Sequence, residues 1–262
     1  MDQDLTYAKY LELQQLLALQ KPMSDPEEHD ELLFIVIHQV YELWFKLLLH
    51  ELDKVGRDFD AGELYEAIAT WKRARMVMKT LVGQIDVLET MTPRSFSSFR
   101  DRLGTASGFQ SLQFRELEFL LGYKRPDMLR HLKHDRDAQV GLARRLAEPS
   151  IVDHFYRFLA HRGVVVPVEL LHRDVTAPPE ASEDVQEGLV HLYRTQPDAV
   201  ILLELMTDFD EGLQEWRYRH VKMVERTIGN KRGTGGSMGV EFLKQSLFRP
   251  IFPDLWAIRH RF

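Results

Sequence analysis

The sequence predicts an all-α protein, a helical bundle with long buried helices, and three observations carry that expectation. Apolar residues recur at a period of about 3.6 along most of the chain. No stretch sustains the two-residue alternation and β-branched enrichment of a half-buried strand. Helix start and stop signals bracket the apolar stripes one after another. A chain of 262 residues can bury a substantial core, as one large domain or two tightly merged ones, and residues 1–262 are expected to act as a single domain.

The first helix is expected over residues 4–20, with Leu13, Leu16 and Leu17 on one side. The run Ser24-Asp25-Pro26-Glu27-Glu28 then combines a capping oxygen, a first-turn proline and acidic residues at the positive end of the helix dipole. The helix it starts, over 26–55, is apolar on nearly every face between Leu32 and Leu49, which places it at the centre of the fold. A third long helix is expected over 63–90, carrying Ile68, Trp71, Met78, Leu81, Ile85 and Leu88. Thr92-Pro93 caps a short helix through Arg100, and 103–108 is a loop. A helix over 109–121 is stopped by Gly122, with Pro126 beyond it. Shorter helices fill 126–147 and 150–161. Three prolines and several small or acidic residues make 164–183 the linker candidate. Helices follow over 185–193 and 197–228, the second with proline at its first turn and Gly229 at its end. A glycine-rich stretch, 231–239, leads into a last helix over 240–247.

Composition excludes several kinds of function. A net charge of −6 gives no reason to expect nucleic acid as a partner. The acidic start Met1-Asp2-Gln3-Asp4 is not a secretory signal. The longest unbroken apolar run, 32–37, is far short of the roughly 20 residues a bilayer requires, so no membrane association is expected. The chain has no cysteine, which removes disulfides, Fe–S clusters, zinc–thiolate sites, a thiol nucleophile and thiolate-held or covalently attached haem. Any haem must hang from histidine, methionine or tyrosine. A cytoplasmic location is expected.

Two histidines stand inside apolar stripes. His38 lies mid-way along the most apolar helix, near Phe34, Ile35, Tyr41 and Glu42. His220 shares a stripe with Leu213, Trp216, Met223 and Val224. A neutral imidazole on an apolar wall, with a polar partner on its second nitrogen, suits a metal ligand. It equally suits a hydrogen-bonded core histidine. His131 and His134 sit among charges on what reads as a solvated face, and His50-Glu51 does not continue into a zinc-protease motif. The glycines at 233, 235, 236 and 239 fail as a dinucleotide fingerprint, because position 238 is Met and no strand precedes them. They fit a connection, with Thr234, that either closes over a ligand or is plain loop. Arg100 follows Phe96 and Phe99. Such an arginine can grip a carboxylate with two parallel hydrogen bonds or pair with Asp101 or Glu116.

Taken together, the blocks resemble one family. Leu33-Phe34-Ile35-Val36-Ile37-His38-Gln39, continuing through Glu42-Leu43-Trp44-Phe45-Lys46, resembles the distal-histidine helix of the tryptophan 2,3-dioxygenases. Phe99-Arg100-Asp101, Leu103 and Ser107-Gly108-Phe109-Gln110-Ser111-Leu112-Gln113-Phe114-Arg115 resemble that family's substrate loop. Trp216-Arg217-Tyr218-Arg219-His220, Ile228-Gly229 and Lys231-Arg232-Gly233-Thr234-Gly235-Gly236-Ser237 resemble its proximal-histidine helix and closing loop. Tyr7, Tyr10 and Leu11 resemble its N-terminal element. The blocks run in the family's order from residue 7 to about 253.

The resemblance implies a haem held between helices, one b-type haem per subunit and ferrous when active. His220 would be the axial ligand of its iron, with Ser107 and Val224 against the cofactor. His38 would lie on the distal side as the catalytic-site histidine, hydrogen-bonding the indole N–H of L-tryptophan. Arg100 would bind the substrate carboxylate, and Thr234 its ammonium group. Phe34, Phe96, Leu103, Ser107 and Gly108 would line the distal pocket. Phe96 replaces the tyrosine of some relatives, losing a hydroxyl but keeping the ring. Tyr7, Tyr10 and Leu11 would enter from a neighbouring subunit of a homotetramer, residues 1–22 packing on it. The implied reaction uses O2 to cleave the indole C2–C3 bond, giving N-formyl-L-kynurenine, the first step of tryptophan degradation by the kynurenine pathway. Two alternatives stay open: a relative oxidising a substituted tryptophan in specialised metabolism, by one oxygen atom or two, and a non-catalytic haem sensor.

Overall fold

A computed structural model of the chain describes residues 4–132, 135–229, 231 and 239–262. Among these the regular structure is helical throughout. The N-terminal region departs from the expected helix over 4–20. It forms two single turns, α1 (Tyr7–Tyr10) and α2 (Leu13–Leu16), separated at Glu12, whose φ of 49° is left-handed. The reason is packing. Neither turn buries a residue, and so short a helix has too few hydrogen bonds to stand without a packed face.

The central helix α3 (His29–Asp60) begins three residues later than its start signal suggests and runs five residues further. The N-cap is Glu28, without a side-chain cap, and Ser24 holds the turn before it. Its hydroxyl accepts from the Glu28 amide at 2.9 Å, while the Glu31 carboxylate accepts from the Met23 and Ser24 amides at 2.7 and 3.0 Å. A stretch within α3 is long and apolar enough to cross a membrane, with mean hydropathy 1.6, a property the unbroken run 32–37 does not reveal. In the fold α3 packs on α4 (Leu64–Leu88), and later on α6 and α8.

Thr92 accepts from the Ser95 amide and opens α5 (Pro93–Phe99), as expected, and a 3-10 turn carries Arg100–Leu103. The helix expected from 109 begins at Leu112. Ser107 and Gln110 close a capping box around a separate 3-10 turn, and Ser111 then caps α6 (Leu112–Leu120) by accepting from the Phe114 amide. A 3-10 segment Pro126–Leu132 leads to α7 (Arg136–Ala147) and, through the Ser150–Asp153 capping box, to α8 (Ile151–His161).

Residues 164–183 do not act as a linker. They form a packed strap containing the single turn α9 (Val168–Leu171). Val164 and Val166 are buried, and Arg173 forks onto the buried Asp153 at 2.6 and 3.0 Å. Gly188 lets Val164 in: a Cβ there would stand 2.2 Å from its Cγ1. Proline content marked an irregular backbone, which is not the same as a free one.

The helix α10 (Glu183–Thr195) precedes α11 (Pro197–Ile228), which lies along α4 and closes the core. Trp71 packs edge-on against Phe209 and Phe252, while Phe59 meets Phe155 and Phe158. After α12 (Val240–Lys244), shorter than expected, comes α13 (Pro253–Ala257), which the sequence reading did not separate. The buried Asp210 of α11 anchors this end. It accepts from the Ile251 and Phe252 amides at 2.9 and 3.1 Å and from the Trp256 indole N–H at 3.0 Å. Replacing Asp210 by alanine strands these donors, so urea unfolding should show a loss of about 3 kcal/mol. A loss below about 1 kcal/mol, in the range of an ordinary surface substitution, would contradict this anchoring.

Candidate active site

One cavity of about 300 Å³ opens between α3, α5, α6, α11 and α12. Phe34, His38, Phe96, Arg100, Ser107 and Gly108 line it, as do His220 and Val224. The resemblance implies all eight at one site, and the fold brings them to one space. Leu103 is half-buried against the main core and lies outside the cavity wall. Tyr7, Tyr10 and Leu11 are 75, 72 and 39% exposed on the surface, away from this cavity. Thr234 lies outside the described residues.

Each cavity residue is placed by a local device. His38 follows Phe34 by one helical turn, and its Nδ1 stands 2.7 Å from the Phe34 carbonyl oxygen. A carbonyl only accepts, so Nδ1 carries the proton and Nε2 is left with a lone pair. The His38 ring is exposed to the cavity, yet protein encloses it enough that burial lowers its pKa against the opposing pull of Phe34 and Glu42. Glu42 itself lines the cavity and is held by the Gln113 side-chain amide at 2.9 Å. On α5, Phe96 and Phe99 meet Phe34 at ring separations of 5.7 and 5.6 Å. This aromatic triad supports the half-buried Arg100 immediately after it.

His220 lies on the cavity side of α11, its ring stacked on Trp216 one turn earlier at 5.2 Å and 11°. Burial first, then His38 and Arg115, push its pKa down to about 4. The imidazole is therefore neutral at pH 7. The indole of Trp216 covers one face of the ring, and among the described residues no hydrogen bond to either ring nitrogen is seen. The wall around it is apolar: Ile85, Leu88, Met91, Met223, Val224 and Ile228. Among the described residues no three histidine, cysteine, aspartate or glutamate side chains converge on a metal position. The donor in this apolar slot is the neutral imidazole of His220, with His38 the other imidazole of the cavity. That fits a metal whose other ligands come with a macrocycle, and His220 and its wall therefore fit haem.

Both histidine shifts are downward, so below pH 6.5 the unfolded chain binds protons that the folded one refuses. Stability is fullest above about pH 6.5 and drains as the pH falls towards 4. In the cofactor-free chain His220→Phe should shrink the difference in unfolding free energy between pH 7 and 4.5 by about 2–3 kcal/mol. An unchanged difference would mean His220 is not held neutral.

Four further charged residues line the wall: Arg115 and Arg217, which stand in the motif blocks without a role, and Glu118 and Arg125, which lie outside them. Their signal was spacing. Arg115 and Glu118 are three apart on α6, and Arg217 and His220 are three apart on α11.

The tryptophan 2,3-dioxygenase family model matches residues 1–150 and 182–261, leaving out α8 and the strap. A tryptophan 2,3-dioxygenase from Herpetosiphon aurantiacus is 53% identical over 263 residues, covering 99% of each chain. One from Anaeromyxobacter dehalogenans is 52% identical, covering 97% of this chain and 95% of its own. One from Saccharopolyspora erythraea is 45% identical, covering 98% and 92%. With matches of this length and a cavity that gathers the motif residues, the chain belongs to the tryptophan 2,3-dioxygenase family.

Proposed function

We propose that this protein is a haem-dependent dioxygenase that opens the indole ring of L-tryptophan with O2, yielding N-formyl-L-kynurenine. The observation that carries the reading is the cavity lined together by a neutral imidazole at His220, an acceptor nitrogen at His38 and Arg100. Membership of the family supports it further.

His220 would hold the haem iron, with Val224 and Ser107 against the macrocycle. Haem on that ligand supplies the activation of O2. The remaining work falls to side chains. Nε2 of His38 accepts the indole N–H, because its own proton is committed to the Phe34 carbonyl. Arg100 receives the amino-acid carboxylate in a partly water-free wall, where a charge-assisted pair gains strength. Phe34 and Phe96 pack the indole and exclude water, so the C2–C3 bond is presented in one orientation. Thr234 is assigned the ammonium group. His38 needs its lone pair, and burial holds its pKa below the ordinary imidazole value. Substrate affinity should therefore hold steady through neutral pH and weaken only at more acidic pH as the ring protonates. A Kd for tryptophan independent of pH down to about 4 would remove His38 from this role.

The exposure of Tyr7, Tyr10 and Leu11, on turns that bury nothing of their own, supports their insertion into a neighbouring copy of a homotetramer. The proposed setting is cytoplasmic, at the first step of the kynurenine pathway, with residues 1–262 acting as one domain. Incubating the reduced protein with L-tryptophan and isotopically labelled O2 tests the reaction. Two labelled atoms in one formylated product are expected. One labelled atom would make the chain a monooxygenase, and a Soret band without turnover would make it a haem sensor.

A further inference from the structure

The cavity wall carries a charge imbalance that neither His38, Arg100 nor His220 explains. Glu118 on α6 is 4% exposed and takes three guanidinium groups. Arg115, three residues earlier and 5% exposed, donates to it directly. Arg125 reaches it at 3.1 and 3.3 Å, and Arg217 of α11, 4% exposed, stands 3.7 Å away. Arg217 also donates to the Ser246 carbonyl at 3.2 Å, and Nε of Arg115 is buried with no hydrogen-bond partner. Arg115 also reaches the Met128 sulfur at 3.9 Å, and each arginine lies over an aromatic face. Arg115 lies over Phe114 at 4.9 Å, Arg217 over Tyr123 at 4.1 Å and Arg125 over Phe242 at 5.8 Å.

Three cations on one carboxylate leave an excess of two positive charges among the described residues. Ring faces attract cations weakly and do not neutralise them. Holding unbalanced charge in a buried site is costly, unless an anion arrives with the ligand. All four charged residues line the same cavity as His220. Arg217 precedes His220 by three residues and so shares its face of α11, which ties the position of the cation to that of the imidazole.

We infer that Arg115, Arg125 and Arg217, gathered by Glu118, form the receptor for the two propionate groups of the haem. The match is one of chemistry. An apolar macrocycle with two carboxylates brings two negative charges to an apolar slot whose rim has two positive charges in excess. The amino-acid substrate brings a carboxylate too, but only one, together with an ammonium group that this cluster would repel. Arg115 supports the assignment: burial, Arg125 and Arg217 all pull its pKa down, a tension that an incoming anion relieves.

The inference rests on haem as the cofactor, and the test separates the two. The full-length chain is loaded with iron protoporphyrin or with its dimethyl ester, which has the same macrocycle and no carboxylates. Transfer to excess apomyoglobin is then followed at the Soret band. The wild-type chain should retain the diacid roughly 10–100-fold longer than the ester, the range expected for charge-assisted pairs. Arg217→Met and Arg125→Gln should bring the diacid's retention down towards the ester's while leaving the ester's unchanged. Arg125 is half-buried, so its variant keeps the test open if Arg217→Met fails to fold. Equal retention of diacid and ester by the wild-type chain overturns the inference and leaves haem binding standing. Variants that lose both forms alike also overturn it, since they show a merely structural cluster. Uptake of neither form sinks the haem reading and this inference together.

Discussion

Replacing His220 by alanine is expected to abolish haem retention and, with it, all turnover. Among the described residues no group of three metal-binding side chains exists, and of the two imidazoles in the cavity only His220 sits in the apolar slot between Met223, Val224 and Ile228. Loss of a residue that merely orients a metal ligand typically costs 10–100-fold in affinity, and loss of the ligand itself should cost at least about a hundredfold. The apolar wall and the Arg115–Arg125–Arg217 cluster would remain, so a weakly held, spectroscopically altered haem is the most that should survive. Free imidazole fits the space the side chain leaves, and its addition should restore part of the Soret intensity. Haem content of the purified variant, by absorbance and iron analysis, decides the matter. A normal content would move the ligand role to another residue, with His38, across the same cavity, the first to examine.

That expectation was reachable before any coordinates, and the reasons show what a sequence of this kind makes legible. The long helices α3, α4 and α11 are clear because their apolar stripes persist over many turns, and a repeated period averages out local exceptions. The caps at Thr92 and the proline at the start of α11 are equally clear, since one or two residues satisfy them locally. The N-terminal helix fails on the opposite ground. Its leucines give the right period, but helix at 4–20 would need a surface to pack on, and sequence periodicity says nothing of whether one is there. The strap over 164–183 fails because its order comes from partners far along the chain, Asp153 for Arg173 and Gly188 for Val164.

The site divides in the same way. His38, Arg100 and His220 were legible through motif blocks, each a continuous stretch. The cationic cluster was not, although Arg115 and Arg217 stand inside those very blocks. Its meaning depends on three arginines from different parts of the chain meeting one glutamate. A charge is visible in a sequence, but a charge imbalance in a cavity is a property of the fold. The two cationic features of the wall are accordingly assigned to different anions, Arg100 to the amino acid and the cluster to the cofactor.

The assignment of Arg100 makes the second large prediction. Arg100→Met should leave haem content and the unliganded spectrum intact and reduce kcat/KM for L-tryptophan by about 30- to 5,000-fold. That range corresponds to roughly 2–5 kcal/mol for removing one partner of a buried charge pair. The upper part is reached only if the substrate carboxylate is left without water. Its half-buried position on an otherwise aromatic wall favours that outcome. Arg100→Lys should recover only part of the loss, because an ammonium restores charge but not the two parallel hydrogen bonds of a guanidinium. Tryptamine, which has the indole and the ammonium but no carboxylate, supplies the control. The wild-type enzyme should discriminate strongly between tryptophan and tryptamine, and Arg100→Met should bind the two nearly alike. If the variant instead loses both equally, Arg100 shapes the loop between α5 and α6 rather than meeting the substrate. If it loses neither, the carboxylate is bound elsewhere, and the cluster around Glu118 becomes the next candidate.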